Sequence, residues 1–247
     1  MLINEFINRF KEEISLPEFF TEDEGYYIRE NIEECFGDDT FEDIAWGVTK
    51  FVIILKDSDY VIKIPFKGRL EDRYCYDCSR TDCNGECNYC SYNEYSTNGE
   101  FYAQAAIGNR AKLKNSWDYC EVESIRYRLA EMEGLQKFFA KTTLIDEIDG
   151  YPIYIQEKIR LFSDDDWDDD MDKRIEESQK TLTTKYPNLH SEANPLWIMN
   201  VVNMFGEEEA DRLCKFIEHY HIRDLHTENI GYRNGVPIMS DYSSYEG

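Results

Sequence analysis

His221-Ile222-Arg223-Asp224-Leu225-His226-Thr227-Glu228-Asn229 decides the reading of this chain, together with Ser240-Asp241-Tyr242 downstream. Asp224 is followed five residues later by Asn229, and Asn229 twelve residues later by Asp241. Phosphoryl transfer from MgATP needs such a set: a carboxylate at the acceptor hydroxyl, and an amide and a second carboxylate as oxygen ligands of the metal. The flanks suit that use. Leu213, Phe216, Ile217 and Tyr220 give residues 207–220 the apolar face of a helix leading into the Asp224 loop. Asn234-Gly235 lies between two short strand-like runs, 229–232 and 236–240, and predicts a hairpin that returns the chain to Asp241.

Further upstream, Phe51-Val52-Ile53-Ile54-Leu55 and Tyr60-Val61-Ile62-Lys63-Ile64 are β-rich, with Lys56-Asp57-Ser58-Asp59 as the turn between them. Strand alternation puts Lys63 on one face and Ile62 and Ile64 on the other. Residues 2–14 and 22–36 predict helices, with Leu2, Phe6, Phe10 and Ile14 at helical spacing, that cover this first sheet. Residues 119–139 predict one long helix with Ile125, Leu129 and Met132 along one side. Strands follow over 141–147 and 151–159, joined by Asp149-Gly150. Residues 163–195 are acidic, start with Ser163-Asp164-Asp165-Asp166, and show no clear period; such a run reads as a solvated loop or a helix N-terminus. Residues 195–205 are apolar enough to pack under the Asp224 loop.

The composition sets limits. A chain of 247 residues with 42% hydrophobic and 15% aromatic content can bury a real core. Its formal net charge of −24 disfavours nucleic acid and anionic membrane as partners. It contains no apolar run of membrane-spanning length, and Met1 to Phe20 lacks the basic start and apolar stretch of a signal peptide. The expected location is cytoplasmic, where thiols stay reduced.

That location gives the eight cysteines another job. Residues 67–118 read as a polar insertion holding Cys75-x2-Cys78 and Cys87-x2-Cys90, with Cys83 between them and Asn84-Gly85 as a turn. Two such pairs suit a closed tetrahedral zinc site, and the bound metal would fold a segment with little core of its own. Cys75, Cys78, Cys87 and Cys90 are the candidate ligands, with Cys83 spare or an alternative; reduced thiols on a loop are the other reading. Cys35, Cys120 and Cys214 fall in helical patterns and read as small core residues.

The order of elements is strand, turn, strand with Lys, helix with Glu, two strands, helix, Asp…Asn loop, hairpin, Asp. It resembles the protein-kinase-like superfamily, and its aminoglycoside phosphotransferase and bacterial or phage kinase-like branch more than eukaryotic protein kinases. The resemblance covers about residues 41–66 and 119–245. It implies an α+β, two-lobe fold: an N-lobe over 1–159 with an antiparallel sheet and N-terminal helices, carrying the zinc-knuckle insertion, and a minimal helical C-lobe over 160–247. Val61-Ile62-Lys63-Ile64 resembles the strand whose Lys pairs with the α- and β-phosphates. Its helix partner would be Glu123, with Glu121 as the alternative and Glu131 and Glu133 also on that helix. The family's phosphate-covering loop becomes Ala45-Trp46-Gly47-Val48-Thr49-Lys50-Phe51-Val52, with Gly47 at the central glycine and Lys50 as a substitute charge. The resemblance makes Asp224 the catalytic carboxylate and Asn229 and Asp241 the Mg²⁺ ligands. Arg223-Asp224 matches the Arg-Asp of protein kinases, Ile222 departs from their His, and His226 matches the aminoglycoside-kinase pattern. Tyr242 and Ser243 stand at the Phe and Gly of Asp-Phe-Gly. Ile155 to Ile159 would carry the adenine through backbone groups. Six residues follow Asp241, so the peptide-docking half of a protein kinase is not expected.

The expectation that results is an ATP- and Mg²⁺-dependent phosphotransferase acting on a protein or small-molecule hydroxyl. Two alternatives stand beside it. One is a pseudokinase-type module that docks a protein partner through the Cys-rich insertion or the acidic segment. The other is an acidic decoy for a nucleic-acid-binding protein.

Overall fold

The computed structural model describes residues 3–17, 20, 24–47, 49–66, 101–105, 109–113, 118–162, 170–185, 194–220, 222 and 225–243. They are mixed α and β and fall into two compact units. The first holds the described residues within 1–105, 109–122 and 142–157; the second holds those within 123–141 and 158–243. Among the described residues, no helix is long and apolar enough to cross a membrane.

The first unit is built on β1 (Phe41–Trp46), β2 (Lys50–Leu55), β3 (Tyr60–Pro65), β6 (Thr142–Ile148) and β7 (Tyr151–Glu157). They form one antiparallel sheet in the order β1-β2-β3-β7-β6. Local chemistry sets its turns. Asp57, at φ 60°, sits between β2 and β3, and Asp149-Gly150, at φ 50° and 79°, closes β6 onto β7. Two positive φ values in a two-residue turn match the right-handed twist of the flanking strands. α1 (Ile3–Glu13) and α2 (Gly25–Phe36) supply Phe6, Ile7, Phe10, Ile28 and Ile32 to one core with Phe51, Ile53, Ile62, Ile64, Tyr151 and Ile153. The N-terminal helices therefore cover one face of the sheet, and Ile62 and Ile64 point into that core. The polar insertion contains a short separate hairpin, β4 (Phe101–Ala105) with β5 (Asn109–Leu113).

The second unit begins within α3 (Tyr119–Met132). α3 ends seven residues short of the expected 139. Gly134, at φ 72°, accounts for this: the Leu135 amide bonds to the Ala130 carbonyl (2.7 Å) and the Gly134 amide to the Glu131 carbonyl (3.1 Å), a C-terminal stop that needs a left-handed residue. The buried side of α3 also differs from the expected one. Met132 is 83% exposed and Ile125 half-buried, while Val122, Glu123, Arg126, Leu129 and Ala130 form the inner stripe. The acidic 163–195 stretch holds a helix, α4 (Met171–Lys185), attached to the core by Ile175 and Leu182, two turns apart on one face. α5 (Pro195–Phe205) starts at Pro195, with the Asn194 side chain accepting from the amides of Leu196 and Trp197. α6 (Glu207–His219) buries Ala210, Leu213, Cys214, Phe216 and Ile217 against it. β9 (Ile230–Arg233) and β10 (Val236–Met239) are joined by Asn234-Gly235 at φ 52° and 80°, and β8 (Arg160–Leu161) pairs with β9.

Gly231 is where β8 and β9 come closest. A Cβ there would lie 2.1 Å from the Arg160 carbonyl oxygen and 2.8 Å from the Leu161 Cα, both backbone atoms. Gly231→Ala is expected to force β8 off β9 and to lower unfolding stability by about 2–4 kcal/mol in urea titration, in the range of core overpacking. A loss under about 0.5 kcal/mol would mean that the strands slide apart at little cost.

Candidate active site

Lys63 sits in the middle of the first unit's sheet, opposite Val52 on β2 and Tyr154 on β7. Cross-strand partners share a face, so Lys63, Val52 and Tyr154 lie on the side away from α1 and α2. Lys63 is 4% exposed. The same face carries Lys50, also buried, and a buried Gln156 whose Nε2 donates to Thr142 Oγ1 at 2.8 Å. Ile155 to Glu157 of the expected adenine linker belong to β7, so that linker reduces to Lys158 and Ile159 before β8.

The turn after β1 is tight, with the Gly47 amide donating to the Lys50 carbonyl (3.2 Å) and the Phe66 amide to the Thr49 carbonyl (2.9 Å). Gly47 is exposed, its φ is not left-handed, and a Cβ there would meet no atom within 4 Å. Nothing in the described fold itself requires glycine at this position.

Tyr154 leads to a group that sequence reasoning missed. Its hydroxyl donates to Asp118 Oδ2 at 2.7 Å, and Asp118 Oδ1 accepts from the Glu121 amide at 2.8 Å, capping the start of α3. Burial pushes the Asp118 carboxyl up to about 6, against the opposing pull of these hydrogen bonds; the Tyr154 phenol is raised by its own burial first and by the neighbouring Asp118 carboxylate second. The signal available in the sequence was Asp118-Tyr119-Cys120-Glu121, an Asp three residues before a Glu at a helix start.

The remaining candidates belong to the second unit. Glu123 is 0% exposed on the inner stripe of α3, whereas Glu121 is half-buried and Glu131 and Glu133 are exposed. Asn229 and Asp241 are brought side by side by the β9–β10 hairpin. Ile230 pairs with Met239, and one step beyond, the Asn229 carbonyl accepts from the amides of Ser240 (2.9 Å) and Asp241 (3.4 Å) and from Ser240 Oγ (3.2 Å). Asp241 Oδ1 accepts from Ser243 Oγ at 2.9 Å and from the Ser243 amide at 3.3 Å. The Asn229 side-chain nitrogen lies 3.1 Å from His226 Nε2, while the Glu228 amide points at Nδ1 (3.3 Å). A neutral imidazole has one acceptor nitrogen, so the tautomer of His226 determines which end of the Asn229 amide faces it.

Asp224 and Arg223 lie outside the described residues. The residues on either side are anchored: Ile222 and Leu225 are buried, the Ile222 amide bonds to the Ile217 carbonyl (2.9 Å), and the Asn194 amide bonds to the Leu225 carbonyl (3.1 Å). Tyr242, at the aromatic position after Asp241, is buried with its ring 5.1 Å from that of Phe139 and its hydroxyl donating to the Ala140 carbonyl at 2.6 Å. Cys75, Cys78, Cys83, Cys87 and Cys90 also lie outside the described residues. Among the described residues, no group of three or more His, Cys, Asp or Glu side chains gathers as a metal site. Cys120 and Cys214 are buried and Cys35 partly so.

No family model, curated protein or solved structure matches the chain.

The Asp118 environment has a measurable consequence. Its folded pKa of about 6 lies above the unfolded value of 3.8, so the native state keeps a proton that the unfolded chain has lost. This group's contribution to stability is present below the unfolded value and is lost as pH rises through the folded one. Asp118→Asn, compared with wild type in urea at pH 4.5 and pH 7.5, is expected to reduce the fall in stability between them, by a difference on the order of 1–3 kcal/mol. Parallel pH profiles for the two proteins would contradict this.

Proposed function

We propose that the protein is an ATP- and Mg²⁺-dependent phosphotransferase of the protein-kinase-like type, with a protein or small-molecule hydroxyl as acceptor. The observation that carries the reading is the main-chain bond at the hairpin mouth, where the Asp241 amide donates to the Asn229 carbonyl at 3.4 Å. An amide oxygen and a carboxylate are hard oxygen donors, and two residues so close in the main chain suit Mg²⁺, which keeps several waters and takes few protein ligands beside substrate phosphates. Support also comes from the element order: the sheet with Lys63 at its centre, the helix with buried Glu123, the two-strand return, the helix into the Asp224 loop, and the hairpin all follow in the sequence expected.

On this reading Lys63 engages the nucleotide's α- and β-phosphates, and Asn229 and Asp241 would hold Mg²⁺, which when bound would supply positive charge to the phosphate oxygens. Asp224 orients the acceptor hydroxyl and takes its proton as the acceptor oxygen bonds to the γ-phosphorus. The bond from that phosphorus to the β-phosphate oxygen breaks, and ADP leaves. The Cys-rich segment, with zinc on Cys75, Cys78, Cys87 and Cys90, would serve structure or docking. It plays no part in the transfer.

Calorimetric titration of ATP with and without Mg²⁺, on wild type and Asp241→Ala, tests the reading. The wild type is expected to bind ATP at least tenfold tighter with Mg²⁺, and Asp241→Ala to lose most of that gain, as for other lost metal ligands. A wild type that shows no Mg²⁺-dependent heat is not a phosphotransferase of this kind. Mg²⁺-dependent binding without transfer to any acceptor would favour the docking module.

A further inference from the structure

Arg126 lies on the buried stripe of α3, three residues after Glu123, and is 6% exposed. Its Nη1 donates to the carbonyl of Tyr242 and its Nη2 to the carbonyl of Tyr220, the latter at 2.8 Å. The two carbonyls bracket the candidate chemistry. Tyr220 closes α6 and immediately precedes the loop that begins at His221, and Tyr242 immediately follows Asp241. A single planar group thus ties the entrance of the Asp224 loop to the exit of the metal-binding segment.

Resting on the phosphotransferase reading, we infer that Arg126 is a positioning residue for Mg²⁺. By clasping the Tyr220 and Tyr242 carbonyls it holds Asp241 beside Asn229 before any ligand arrives. The guanidinium suits the task because its donors are fixed in a plane and can serve two acceptors together. A lysine ammonium keeps the charge but is a point donor on a flexible stem, and does not hold two carbonyls in one geometry. The ring of Tyr242 against Phe139 and its hydroxyl on Ala140 fix its side chain, and the clasp acts on its main chain.

The test uses the full chain as wild type, Arg126→Lys and Arg126→Met. Three quantities are measured: ATP affinity across a Mg²⁺ series and in EDTA, hydrogen exchange of the Ser240–Ser243 amides without nucleotide, and the melting temperature. Arg126→Lys is expected to raise the Mg²⁺ concentration that half-maximally tightens ATP binding by about tenfold or more, as loss of an outer-shell partner does. It should leave ATP affinity in EDTA within about twofold of wild type and speed exchange at those amides. A lower melting temperature with an unchanged Mg²⁺ midpoint would make Arg126 purely structural and overturn the inference. A fully restored midpoint in Arg126→Lys would also overturn it, since charge alone would suffice. Arg126→Met that fails to fold leaves the decision to Arg126→Lys. Failure of the underlying reading shows separately, as a wild type whose ATP binding ignores Mg²⁺, and the inference falls with it.

Discussion

Two residues with positive φ, Asn234 and Gly235, hold the register on which the second unit's candidate chemistry depends. Their turn pairs Arg233 with Val236, so Ile230 meets Met239 and the chain delivers Asn229 and Asp241 to the same end of the hairpin. A slip of one residue would turn every side chain of a strand to the opposite face and move Asn229 and Asp241 out of this main-chain contact. The hairpin is held against slipping from both sides. β8 lies so close to β9 that only glycine fits at position 231. On β10, the Ala140 amide bonds to the Met239 carbonyl at 2.8 Å.

Features governed by one or two residues were legible in the sequence. Asn234-Gly235, Asp149-Gly150 and the turn holding Asp57 required strand reversals, and the reversals are there. The apolar period of α1 and α6 named their buried sides, because one face of each meets a core and the other meets water. The alternation in Val61-Ile62-Lys63-Ile64 separated Lys63 from its neighbours for the same reason. The end of α3 had such a signal in Gly134, a glycine after the last periodic residue, but the expected helix ran past it to 139.

What the sequence hid follows from a rule that fails locally. On α3 the periodic apolar residues Ile125, Leu129 and Met132 suggested one inner side, and Glu123 was singled out only through the resemblance. The helix buries Leu129 together with Glu123 and Arg126, and exposes Met132. Periodicity reports burial only while charge and burial exclude each other, and a buried polar network breaks that link. α4 was hidden for a different reason: among its described residues, Ile175 and Leu182 are the apolar side chains that join the core, too few positions to show a period among so many charges. The helix-start signal at Asp118 said nothing of its other partner, because Tyr154 is far along the chain and comes near through the fold.

Burying a guanidinium at Arg126 carries a desolvation cost that an apolar residue of similar size would not have. Part of the offset comes from where the charge sits. Tyr220 closes the C-terminal end of α6, where unsatisfied carbonyls carry the partial negative end of the helix dipole, and a cation there is favourable. The Tyr242 carbonyl supplies a second acceptor, so at least two of the guanidinium's donors are satisfied by main chain. An apolar side chain could fill the same volume, but it could not hold two carbonyls at a fixed separation. The same argument separates the two tyrosines: packing alone would hold their rings, whereas holding their carbonyls requires a buried donor, and Arg126 is that donor.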